Sequence, residues 1–165
     1  MNTPLRPSRL LLLAVLAGAI ATLCDANHVH TGTLSYPAPF LFGQAWWVFP
    51  HFVLALLAMG VSYAWLAARL PASLATAQST APGEAGRFVE AVLAFVFVYL
   101  LSGFGNAEPA LLAVIFYGTF FVRWVASYER GWLLVLAVIM AIAGMAVEGL
   151  LSAVGWVAYR HQDIF

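Results

Sequence analysis

Five apolar stretches, at 10–24, 45–68, 87–104, 109–127 and 132–159, are separated by breaks that carry most of the charges, prolines and turn-forming residues of this chain. About 20 consecutive apolar residues of helix cross a bilayer, and a backbone in hydrocarbon must satisfy its own polar groups. The pattern therefore predicts an all-α fold: a polytopic membrane bundle of five transmembrane helices, one domain over 1–165. The first stretch is short and follows Arg6 and Arg9. That length suits either a first span or the apolar part of a signal peptide. Ala14, Ala17, Gly18 and Ala21 give it the small-residue face of a helix packed against another helix, which favours a retained span.

The breaks fill in the picture. Residues 25–42 hold two histidines, several hydroxyls, Gly32, Pro37 and Pro39, and read as a loop too polar for lipid. Trp46 and Trp47 then open the second stretch, with rings suited to headgroup level and Pro50 tolerated in a first helical turn. Residues 70–86, rich in alanine, serine and threonine with Pro71, Pro82 and Gly83, read as a linker within the domain. Asn106, Glu108 and Pro109 supply a cap, a charge and a proline start for the fourth helix, with Arg123 reaching out at its far end. The fifth stretch would measure about 42 Å as one helix against about 30 Å of hydrocarbon, so it must tilt, bend or protrude.

Composition adds to this in two ways. Of 165 residues, 64% are hydrophobic and 8% charged, far from the quarter typical of soluble domains. The seven basic residues are all arginine and are balanced by seven acids, so no basic field exists for nucleic acid. Arg6, Arg9, Arg69, Arg87, Arg123 and Arg130 fall on one side of a five-span bundle and Arg160 on the other. Positive charge marks the cytoplasmic side, which places the N-terminus there and the histidine-bearing first loop outside. The arginine-rich, lysine-free composition points to a bacterial plasma membrane in preference to the endoplasmic reticulum. Cys24 stands alone, which permits no internal disulfide and reads as a buried thiol.

Candidate chemistry is sparse. Glu148 is the acid set well inside a span, and an ionisable residue in lipid is a candidate functional group. Ala141, Gly144, Glu148, Ser152 and Gly155 recur every three or four residues, so the carboxylate sits in a groove of small residues that a neighbouring helix or a ligand headgroup can approach; a packing carboxyl is the alternative. His28, His30, His51, His161, Asp25 and Asp163 lie on the outer side, but their spacing matches no metal motif. No phosphate-cradling glycine loop, nucleophile elbow or H-E-x-x-H occurs, and Ser102 reads as a helix-end hydroxyl. No cofactor, metal or enzymatic activity is expected.

Ala45-Trp46-Trp47-Val48-Phe49-Pro50 resembles the A-W-W-V-P-P opening of the second span in the Insig family, six-span endoplasmic-reticulum regulators of sterol metabolism, with Phe49 departing from it. The likeness runs on in order. Phe88 to Phe104 resembles that family's third span, Tyr128-Glu129-Arg130 stands where it has Phe-Asp-Arg, and Val157 to Phe165 where it has a tyrosine-rich outer loop. Leu112 and Val125-Ala126 depart from its span-four glutamine and tryptophan pair. The chain ends at Phe165 where a sixth span would begin, so one wall of the cleft is expected from a neighbouring subunit in a homo-oligomer, or from a continuation of the chain.

The resemblance implies a helical bundle whose central cleft takes a membrane lipid, diacylglycerol-like or sterol-like, and whose cytoplasmic acid, here Glu129, contacts a partner membrane protein that it regulates. Glu148, Ser152, Gly144, His51, Trp46 and Trp47 are the residues expected at the lipid cleft. Two other readings remain: a small proton-coupled transporter working as an oligomer around Glu148, and a tryptophan-rich sensor-type protein binding porphyrin or sterol. Against the transporter, no second acid is expected deep in another span.

Overall fold

The computed structural model describes residues 7–69, 84–105, 108–127 and 130–160. Five helices and two short strands follow in chain order: α1 (Pro7–His30), β1 (Leu34–Ser35), α2 (Val48–Ala67), α3 (Glu84–Phe104), α4 (Pro109–Ala126), α5 (Arg130–Ala153) and β2 (Ala158–Tyr159). Four of the helices, α1, α2, α4 and α5, are long and apolar enough to cross a membrane, while the apolar part of α3, Val89–Phe104, is shorter. Large apolar side chains such as Leu12, Leu54, Val114 and Ile142 lie on the outer faces, as expected where the surrounding solvent is lipid.

α1 organises the bundle. Its buried positions Ala14, Gly18, Ala21, Cys24, Asp25 and His28 recur at three- and four-residue spacing and form one face. The small residues let backbones meet: a Cβ on Gly18 would lie 2.8 Å from Val53 Cγ2 and 3.2 Å from the Val53 amide nitrogen of α2. α1 packs most extensively on α2 and next on α3, whereas α4 and α5 touch each other lightly. The helix also runs further than its composition suggested. Residues 25–30, expected as the start of a loop, are its last turns, because Asp25 and His28 continue the buried face and find polar partners there.

α5 differs at its other end. Expected through residue 159, it stops at Ala153 after 24 residues, about 36 Å, which leaves far less excess over about 30 Å of hydrocarbon to be taken up by tilt. Gly155, at φ +72°, supplies the left-handed turn that reverses the chain. β2 then pairs antiparallel with β1, Leu34 opposite Tyr159 and Ser35 opposite Ala158, and the Arg160 amide donates to the Thr33 carbonyl at 2.9 Å. This ribbon inside the expected loop ties the segment after α1 to the segment after α5. Trp132 of α5 meets Tyr63 of α2, centroids 6.1 Å apart, and at the other end Trp156, just past α5, meets Trp47, just before α2, at 5.6 Å.

Two smaller expectations change. Glu108 occupies the cap position of α4 without a side-chain cap bond, and Asn106 lies outside the described residues. Arg123 does not reach out alone but pairs with Glu90 of α3 at 3.2 Å, both exposed. A pair of that kind contributes at most about 1 kcal/mol.

Candidate functional site

At the strand end of the bundle, α1, α2, α3 and α5 enclose a cavity of about 280 Å³. Its polar centre is Asp25 on α1, 3% exposed. Oδ2 accepts from the Tyr36 hydroxyl and the Gln44 amide, each at 2.8 Å, and Oδ1 from the Tyr99 hydroxyl at 3.4 Å. A buried carboxylate needs such donors, since an unpaired charge in this setting is very costly. Gln44 donates to the Thr22 carbonyl as well, at 2.9 Å, which anchors the turn before α2 to α1. Burial, and after it the Asp25 carboxylate, holds the Tyr36 phenol well above its ordinary pKa.

From the two tyrosines an unbroken series of ring contacts runs round the wall. Tyr36 meets Trp47 edge-on at 5.5 Å, Trp47 meets His51 at 5.9 Å, His51 meets Phe52 at 5.9 Å and Phe52 meets Tyr99 at 6.3 Å. Both ends of the series hydrogen-bond Asp25, so the wall closes on itself. Glu148 lines the cavity from α5 and makes no hydrogen bond among the described residues. The ribbon contributes Leu34 and Tyr159.

His28 sits one turn beyond Asp25 and stacks on Tyr99, centroids 4.6 Å apart. The Ser102 hydroxyl gives its proton to the Tyr99 carbonyl at 2.7 Å, so its oxygen accepts from His28 Nε2, also at 2.7 Å. The hydrogen-bond network thereby assigns a proton to Nε2. Nδ1 lies 3.9 Å from Asp25 Oδ1, too far for a hydrogen bond. Asp25, His28 and Ser102 stand in the order of a hydrolytic triad without its geometry. The serine proton is committed to a carbonyl, the carboxylate does not orient the imidazole, and Ser102 is not on the cavity wall. Among the described residues no three His, Cys, Asp or Glu side chains are grouped to hold a metal; His161 and Asp163 lie outside those residues.

Of the residues expected at the cleft, Glu148, His51 and Trp47 come together on this wall. Trp46 points away and is 71% exposed, Ser152 is half-buried off the wall, and Gly144 has no heavy atom within 4 Å of where a Cβ would stand. Among the described residues, no other helix therefore fills the small-residue groove of α5 at that level. Glu129, the expected partner contact, lies outside the described residues. A second acid does share the cavity with Glu148: Asp25, expected in the first loop, is helical and buried near the end of α1.

Tyr36, Gln44 and Tyr99 were not singled out from the sequence, and Asp25 stood there only among the outer-side groups whose spacing matches no metal motif. One signal was available: the series 14, 18, 21, 25, 28 keeps helical spacing straight through the change from small to polar residues. Tyr36 and Gln44 carry no comparable mark, being loop residues brought in by the turn before α2. No family model, no curated protein and no solved structure matches this chain.

Proposed function

We propose that this chain is an Insig-like, non-enzymatic integral membrane protein that holds the headgroup of a membrane lipid or similar amphiphile between its helices. The observation that carries this reading is the cavity itself, with two acids, Asp25 and Glu148, two histidines and Thr33 set in a wall that is otherwise aromatic or aliphatic. Ligand pockets commonly measure about 300–1,000 Å³ and combine apolar walls with a few converging polar groups. At about 280 Å³ this one suits a headgroup and its first carbons, the tail lying along the apolar helices outside. Headgroup contact falls to Glu148, His51 and Trp47. On the same reading the N-terminus is cytoplasmic, a second copy covers the open groove of α5, and a partner membrane protein is regulated through the Glu129 turn.

Native mass spectrometry of the full chain in dodecyl maltoside tests this. One amphiphile per chain is expected with the parent protein and is lost when Leu151→Trp fills the cavity, with helicity unchanged. A parent chain without any retained amphiphile, or retention indifferent to Leu151→Trp, refutes the reading.

One observation favours a second reading, proton-coupled transport. Asp25 and Glu148, on different helices, share a cavity with two histidines. Uptake driven by a proton gradient and abolished by Glu148→Gln would favour it over static binding.

A further inference from the structure

We infer that the cavity selects a positively charged head, an alkylammonium in which an amine or quaternary ammonium is carried on an apolar tail. This rests on the amphiphile reading above and names the chemistry of the head. Two independent features of the wall agree. The first is charge: Asp25 and Glu148 both line the cavity, and among the described residues no arginine does. The chain has no lysine. Of its arginines, Arg9, Arg69, Arg123 and Arg130 stand at or near the opposite helix ends, and Arg160 joins the ribbon through its backbone.

The second feature is the closed aromatic wall. Tyr36, Trp47, Phe52 and Tyr99 all line the cavity and are joined ring to ring through His51, and a cation seated against the face of such a ring is attracted through its quadrupole. Quaternary ammonium groups are typical occupants of aromatic cages because they need no hydrogen bonds. The two carboxylates play different parts. Asp25 is already supplied with three donors and sets the positions of Tyr36 and Tyr99. Glu148 makes no hydrogen bond among the described residues and offers its carboxylate to the ligand. An unpaired carboxylate among membrane helices is costly, and a bound cation removes that cost without a proton. A phosphate or carboxylate head would meet two acidic side chains with no guanidinium among the described lining residues to offset them. A hydroxyl head could donate to Glu148 but would leave the charge uncompensated and the ring faces unused.

Calorimetric titration of the full chain in dodecyl maltoside compares three probes: dodecyltrimethylammonium, dodecanol with the same tail, and choline. The expected result is one site per chain for dodecyltrimethylammonium, at least tenfold tighter than dodecanol. Glu148→Gln, on an exposed position that leaves the fold intact, should cut that preference tenfold or more by weakening the ammonium far more than dodecanol, and Trp47→Leu should weaken the ammonium more than the alcohol. Choline binding as tightly as the long-chain probe would assign the site to a soluble ammonium; choline failing to bind would assign it to a membrane amphiphile. Equal affinity for the two dodecyl probes overturns the charge selection and leaves the amphiphile cavity standing. Binding of neither overturns the cavity reading itself.

Discussion

Replacing Gly103 by alanine probes the seam on which the site depends. Gly103 is buried in the last turn of α3, where a Cβ would lie 3.1 Å from His28 Cδ2 and 3.2 Å from Thr31 Oγ1 and would run into Asn27 Nδ2. The three neighbours lie in the last turn of α1 and just beyond it, so the added methyl cannot be absorbed by one flexible tip, and the helices must separate. Among the hydrogen bonds that cross this seam near Gly103 are Asn27 Nδ2 to the Leu100 carbonyl at 3.2 Å, His28 with Ser102 at 2.7 Å, and Thr33 Oγ1 to the Gly103 carbonyl at 3.4 Å. Overpacking costs about 1–3 kcal/mol, and each weakened hydrogen bond about 0.5–1.5 kcal/mol. Alanine recovers up to about 1 kcal/mol of helix propensity, less near a helix end. The expected net effect is a loss of about 1–4 kcal/mol. Gly144→Ala is the matched control. Nothing lies within 4 Å of its Cβ position in the middle of α5, so the same substitution should stabilise by up to about 1 kcal/mol. Both variants are compared with the parent in dodecyl maltoside by unfolding titration followed through helical circular dichroism. A Gly103→Ala variant as stable as the parent would refute the close approach of α1 and α3. A destabilised Gly144→Ala variant would mean that the open face of α5 is packed against a second copy.

Three further outcomes follow from the same contacts. Asp25→Asn removes the charge from a carboxylate that accepts three hydrogen bonds and should cost about 2–4 kcal/mol, read as a lowered unfolding midpoint at unchanged helicity. The Tyr36 phenol is held above its ordinary pKa in the folded state, so above about pH 10 the unfolded chain loses a proton that the folded chain keeps, and stability falls as pH rises. Tyr36→Phe should make that alkaline decline shallower, measured as melting temperature between pH 8 and pH 11, with a slope equal to the parent's counting against it. Gly155→Ala meets no steric obstacle but must hold φ +72°, a cost of about 1–2 kcal/mol confined to the turn before β2. Hydrogen exchange at Arg160, whose amide donates to Thr33, should quicken well before exchange in the middle of α1.

The apolar periodicity of this chain was enough to place its helices, because a backbone surrounded by lipid has no other way to satisfy its polar groups and leaves long, unmistakable runs. The starts and ends were legible where a residue carries its own instruction: Pro109 opens α4, and the buried thiol of Cys24 lies where a lone cysteine near a span end was expected. The small-residue face of α1 was legible for the same reason, since Ala14, Gly18 and Ala21 have no other use at that spacing. Glu148, His51 and Trp47 could be named as candidates because a polar or amphipathic residue stands out against an apolar stretch.

Which polar residues share one cavity is a different kind of information. Asp25 looked like the first residue of a loop, since loop-forming composition begins there. Its helical state depends on Tyr36, Gln44 and Tyr99, and Tyr99 lies 74 residues away along the chain. Likewise α5 has apolar residues enough to continue past Ala153, and pairing of Ala158 and Tyr159 with Leu34 and Ser35 accompanies its end at the Gly155 turn. Local pattern by itself determined that this chain builds apolar helices and where the principal ones lie, because hydrogen bonding within a helix is a local matter. Only the tertiary structure decided that two carboxylates and a closed series of rings meet at one end of the bundle, because that meeting depends on contacts between segments far apart in the chain.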